Sequence, residues 1–116
     1  MNYIKKLPKQ PSFVQNGLKG YQFDLNTKEL GFCFIDCFKG HDKYCINKQS
    51  THIYRVLEGD GRFCINGNIY DVTENDVIEI PANTEFVYAG KMKLILIMLP
   101  EFKPENSIDT RDNDLY

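Results

Sequence analysis

From Tyr21 onward the chain is a succession of short apolar runs, each ended by turn residues, and none keeps a helical repeat for more than about two turns. That pattern predicts an all-β fold. The expected strands are Tyr21 to Leu25, Gly31 to Phe38, Lys43 to Asn47, His52 to Leu57, Arg62 to Ile65, Asn68 to Val72, Val77 to Ile80, Thr84 to Tyr88 and Met92 to Leu99. Asn66-Gly67 is the strongest local signal, because a two-residue hairpin turn of type I′ needs two positive φ angles and this dipeptide accepts them at little cost. "EGDG" at Glu58 to Gly61 reads as a bend between two strands, and Pro81 closes the run before it, where no ladder donor is lost. So many short strands at near-regular spacing point to a sandwich or jelly roll.

With 116 residues, of which 42% are hydrophobic and 13% aromatic, the chain has material for one core and one domain. The expected division is an extended N-terminal arm over residues 1–20, a barrel over 21–99 and an acidic tail over 100–116, which carries five acids against Lys103 and Arg111. A net charge of -2 gives no general attraction for nucleic acid or an anionic membrane, so the expected partner is a small neutral or polar molecule. Cys33, Cys37, Cys45 and Cys64 lie in apolar runs without paired C-x-x-C spacing, which suits reduced core thiols in a cytoplasmic protein. Met1 to Lys19 holds no apolar run of the length a secretory h-region needs, and the longest apolar run, Leu94 to Leu99, is too short to cross a bilayer.

The middle of the chain resembles the small single-domain cupins, whose fold is a double-stranded β-helix, a jelly-roll barrel of two antiparallel sheets. Their first motif reads glycine, five residues, H-x-H, three or four residues, glutamate, six residues, glycine; Gly40 and Gly59 keep that frame here. With the three-residue gap the histidine places fall on Ile46 and Lys48 and the glutamate place on His52; with four, the histidine places fall on Cys45 and Asn47. The second motif reads glycine, five residues, P-x-G, two residues, histidine, three residues, asparagine. "NDVIEIPANTEFVYAG" follows its spacing, with Pro81 kept, Asn83 for the glycine and Phe86 for the histidine. The resemblance therefore implies the scaffold without the usual metal ligands, and the expectation is no cofactor. A rearranged metal site built from His41, Cys45 and His52 is the alternative, since these are ligand atom types in one short segment.

Strand alternation then assigns faces in the three-residue register. If His52 points into the barrel, so do Tyr54 and Val56, with Tyr44, Ile46 and Lys48 from the preceding strand and Phe86 and Tyr88 from the returning one. Phe32, Phe34, Asp36 and Phe38 share a face, and a carboxylate buried among phenylalanines needs a cation such as Lys48 or His52. The candidate catalytic pair is thus His52 and Lys48, within a ligand-binding wall of Tyr44, Tyr54, Phe86, Tyr88, Asp36 and Phe34. Such a set suits metal-free acid and base work beside a carbonyl, and metal-free cupins that isomerise or epimerise nucleotide-linked keto-sugars are the precedent the resemblance implies. Two alternatives stand beside it: a non-catalytic module that binds a small ligand, and a dimeric interaction domain. "KLILIML" is apolar on both faces, so a homodimer that covers its outer side is expected.

Overall fold

The computed structural model describes residues 2–116 and contains nine antiparallel strands and one short 3-10 turn, Pro104–Asn106. The strands are β1 (Phe13–Val14), β2 (Leu18–Gln22), β3 (Gly31–Cys37), β4 (Lys43–Asn47), β5 (Thr51–Ile65), β6 (Asn68–Thr73), β7 (Val77–Ile80), β8 (Phe86–Leu99) and β9 (Ser107–Asp112). The fold is all-β, a curled cupin-type barrel, as the strand pattern and the resemblance both predict.

Two long strands hold it together. β5 and β8 pair along their whole length, from Thr51 opposite Leu99 to Ile65 opposite Phe86. The first half of β5 carries β7 on its other edge and the second half carries β6; the last half of β8 carries β3, β2 and β1, and its start carries β4 and β9. One ribbon therefore belongs to both sheets and bends between them. The sequence reading breaks each of these strands in two, at "EGDG" and at Ala89 to Lys91, because glycines mark both places. The structure uses them as bends inside continuous strands. Gly59 sits at φ +86°, next to a register shift between Val56 and Glu58, and a Cβ there would stand 2.1 Å from the Lys91 carbonyl oxygen. The Asn66-Gly67 hairpin forms as expected, with φ of 50° and 81°.

The interior between the sheets is filled by alternate residues: Cys33, Ile35 and Cys37 from β3, Tyr54 and Val56 from β5, Leu94, Leu96 and Met98 from β8. Their neighbours Phe32, Phe34, Ile53, Ile95 and Ile97 form a half-buried outer face.

Both chain ends contribute strands, so the barrel takes in residues beyond 21–99. β1 and β2 extend one sheet, and β9 pairs with β4. After β9 the last residues fold back over the outer face of the second sheet, where Leu115 packs into a separate cluster with Tyr44, Cys64, Val87 and Ala89. Asn113 anchors this segment: its backbone N–H donates to Asp42 O at 3.0 Å, and its carboxamide donates to His41 O at 2.8 Å and Tyr88 O at 3.1 Å. Arg62 donates to Leu115 O at 2.9 Å. An acidic, polar composition hid the tail's role because one apolar side chain and a few hydrogen bonds, mostly from the Asn113 and Arg62 side chains, do the anchoring.

Leu115→Ala is expected to lower unfolding free energy by about 2 kcal/mol, near the lower end for truncating a buried leucine because the site lies under a terminal segment. Urea unfolding checks this; an unchanged midpoint would mean the tail contributes no packing.

Candidate active site

Between the sheets lies a cavity of about 510 Å³, within the range common for small-ligand sites. β5 supplies His52 and Tyr54, the start of β8 supplies Phe86 and Tyr88, β3 supplies Cys33 and Ile35, and the segment at the start of β4 supplies His41 and Cys45. The rim comes from the two ends of the chain, with Ser12, Phe13 and Gln15 on one side and Phe102, Ser107 and Asp109 on the other. Aromatic rings brace one another across the interior: Phe63 stacks on Tyr88 at 4.9 Å between centroids, and Tyr54 meets Phe63 and Tyr88 edge-on at 5.3 Å each.

Burial sets the protonation of this site. His52 lies between Tyr54, 6.1 Å between centroids, and Phe86, 5.3 Å, and desolvation pushes its pKa down to about 4 against a backbone hydrogen bond at Ser50 that raises it. At neutral pH it is an uncharged imidazole. His41 is also pushed below the ordinary histidine value, by burial first, against the opposing pull of the Lys43 backbone and of Asp109 and Asp42. Its Nδ1 stands 2.7 Å from Lys43 O, a group that can only accept, so Nδ1 carries the proton and Nε2 bears the lone pair. Tyr54 and Tyr88 move the other way: desolvation raises both well above the ordinary phenol value and keeps them protonated donors. The Cys33 and Cys45 thiols are pushed up to about 11 and about 12 by the same burial, which leaves them un-ionised and poor nucleophiles.

The donor set does not suit a bound metal. Among the described residues no three His, Cys, Asp or Glu side chains stand close enough to share an ion. His41, Cys45 and His52 do line one cavity, yet they do not converge closely enough to hold one ion.

Of the residues singled out in the sequence, His52, Tyr54, Phe86 and Tyr88 line the cavity together. The other four lie elsewhere. Lys48 is exposed beyond the end of β4, so it is not the neighbour of His52 that the three-residue register predicts. Cys45 pairs directly with Phe86 and shares its face, which makes the four-residue register the one that forms. That single-residue slip sends Tyr44 to the opposite side, where its hydroxyl donates to Asp114 at 2.6 Å. Phe34 and Asp36 do share a face, but it is the outer one: Phe34 lies opposite Ile95, and Asp36 has Lys19 and Lys93 as its cross-strand partners. β3 is apolar on both faces, so its phase comes from pairing with β8 rather than from its own pattern. The sequence reading considered His41 only for a rearranged metal site, and it did not single out Gln15 and Asp109 at the rim. The one available signal for His41 was its place just after the motif glycine, Gly40.

The barrel is that of a small cupin-fold domain. No family model matches the chain, and no curated protein matches it by sequence. Solved structures do. The Streptomyces protein Pac13 with uridine superposes with a TM-score of 0.89 at 21% identity, over 97% of this chain and 93% of that one, and Pac13 is described as a unique nucleoside dehydratase. Three of its uridine structures are single variants, one with a histidine changed to glutamine and two with a tyrosine changed to phenylalanine. KdgF from Halomonas sp. superposes with a TM-score of 0.70 at 14% identity, over 83% of this chain and 89% of that one. An RmlC-like cupin from Shewanella frigidimarina gives 0.68 at 21%, over 83% and 86%. At these identities the likeness speaks for the fold.

His52 makes stability depend on pH. Its folded pKa of about 4 lies below the ordinary value of 6.5, so the unfolded chain takes up the proton first as pH falls. Its contribution is fully present above pH about 6.5, is lost as pH falls through about 4, and totals on the order of 3 kcal/mol. Urea midpoints measured across that window should fall more steeply for the wild type than for His52→Gln. Equal slopes would show that His52 is not desolvated.

Proposed function

We propose that this chain binds a nucleoside or a related sugar in the barrel and removes water from it by acid and base chemistry, with His41 as the base and Tyr54 and Tyr88 as hydroxyl donors. The observation that carries this reading is the opposed protonation of three groups in one cavity: a neutral imidazole with its Nε2 lone pair unprotonated, and two tyrosines held protonated by burial. The Pac13 variants support it. Their replaced histidine and tyrosines stand one number higher in that chain than His41, Tyr54 and Tyr88 stand here, a constant offset across a near-complete superposition.

A neutral imidazole is too weak a base to take a proton from an ordinary sugar carbon, so the substrate must carry a carbonyl beside the carbon that loses it. His41 Nε2 accepts that proton, and the electron pair of the broken C–H bond moves toward the carbonyl oxygen, which a tyrosine hydroxyl supports as it gains charge. The pair then returns to form the carbon–carbon double bond as the β-hydroxyl leaves. That hydroxyl departs as water with the proton held on His41, and the base is restored. Epimerisation or isomerisation of a keto-sugar shares the first step and differs only in returning the proton to carbon. A second neutral histidine, His52, packs against Tyr54 and Phe86 in the same cavity and would shape the pocket rather than carry charge.

The test is incubation with uridine and with nucleosides and sugars oxidised to a carbonyl at one ring or side-chain carbon, followed by mass spectrometry in deuterated water. The expected result is loss of one water from a carbonyl-bearing nucleoside, no reaction of uridine itself, and a rate lowered by about 100-fold or more in His41→Gln. Deuterium uptake without water loss would replace dehydration by isomerisation or epimerisation. Binding without either would make the barrel a non-catalytic ligand module, and neither binding nor reaction would end the proposal.

A further inference from the structure

The base His41 does not face an empty cavity. Gln15, in the turn between β1 and β2, reaches it from the N-terminal end of the chain, and its Nε2 stands 3.2 Å from His41 Nε2. The orientation of this carboxamide is fixed by its other atom: Gln15 Oε1 accepts the backbone N–H of Asp42 at 2.9 Å. With the oxygen committed to a donor, the nitrogen is what faces the ring, and an amide nitrogen only donates. On the far side of the ring, Nδ1 meets the Lys43 carbonyl at 2.7 Å. One neutral tautomer satisfies both contacts. An imidazolium would set an N–H against an NH₂ group and leave a hydrogen bond unmade.

We infer that Gln15 is the positioning residue for His41: its carboxamide selects the ring nitrogen that faces the cavity unprotonated and holds that lone pair until a ligand oxygen takes over the amide N–H. Its part in turnover rests on the dehydration reading above; the placement of the proton does not. Two consequences follow from the geometry. The turn that carries Gln15 is built into the sheet, since Gln15 N–H donates to Leu18 O at 2.9 Å and Ser12 N–H to Gly20 O at 2.7 Å, so the N-terminal strands set the base rather than merely flank it. A productive ligand must also present an acceptor oxygen, hydroxyl or carbonyl, next to the acidic C–H, because Nε2 is released only when the amide finds another acceptor. That favours polyhydroxylated substrates over apolar ones of equal size.

Other groups around His41 act on its charge and must be counted. Asp42 is its chain neighbour, Asp109 faces it from β9, His52 from β5, and the Tyr88 ring lies 5.8 Å away edge-on. The two carboxylates favour the imidazolium and His52 opposes it when protonated. Gln15 is the one that touches Nε2.

The inference is tested without substrate, by ¹⁵N-detected long-range NMR of the histidine rings in the full chain. The wild type should show His41 with its proton on Nδ1. In Gln15→Glu one carboxylate oxygen still accepts the Asp42 N–H while the other faces Nε2 as an anion, and the His41 protonation equilibrium should move about tenfold toward imidazolium. Gln15→Met, which fills the space with no donor, should shift it in the same direction but less. A wild-type proton on Nε2, or a His41 titration that Gln15→Glu leaves in place, would overturn the inference whether or not the chain dehydrates nucleosides. A drop in melting temperature with no change in titration would mark Gln15 as a packing residue and overturn it equally. Conversely, a chain that turns over no nucleoside but shows the expected tautomer and shift would retain the inference and lose the dehydration reading.

Discussion

The pairing of β5 with β8 is the constraint on which the rest depends. Fourteen registered residue pairs run from Thr51 with Leu99 to Ile65 with Phe86, and the ribbon changes sheets where Gly59 and Gly90 let it bend. A side chain at either glycine would collide with backbone: a Cβ on Gly90 would meet Asp60 O at 2.6 Å. Because the ribbon serves both sheets, the inward positions of its two strands meet across one space. His52 and Tyr54 then face that space together with Phe86 and Tyr88, and the other strands fill in around them.

Once the space is closed, low dielectric sets the protonation of its walls. The same desolvation lowers the affinity of both histidines for protons and raises that of the tyrosines and thiols. Every titratable group buried in the wall is therefore neutral near pH 7, and the arrangement handles protons without carrying a fixed charge. The nearby acids, Asp42 and Asp109, lie at the margin and pull weakly against this tendency at His41.

What the sequence made legible were the features that local physics fixes. The Asn-Gly turn, the proline after β7 and the alternation of His52, Tyr54 and Val56 on one strand needed no partner to be read correctly. Where a second strand decides, the reading slipped. β3 is apolar on both faces and β4 is only five residues long, and only their registers with β8 show that Cys33, Ile35 and Cys45 face in while Phe34, Asp36 and Tyr44 do not. The slip in β4 also removed Lys48 from the site. Residues brought in from far along the chain left no local trace at all: Gln15 and Asp109 reach His41 from opposite ends, and Asn113 fastens the backbone of His41 to that of Tyr88. His41 itself precedes its strand, so no alternation could assign it a face.

The central claim is that the ligand sits against His41, Tyr54 and Tyr88 inside the barrel. Titration of uridine into isotope-labelled protein, followed on histidine and tyrosine ring signals, tests it most directly. The account predicts saturable shifts at His41, Tyr54 and Tyr88, with Tyr44 and Tyr70 unmoved because they lie outside the cavity. Saturable shifts confined to Tyr44 or Tyr70, or none at any ring up to millimolar uridine, would contradict it.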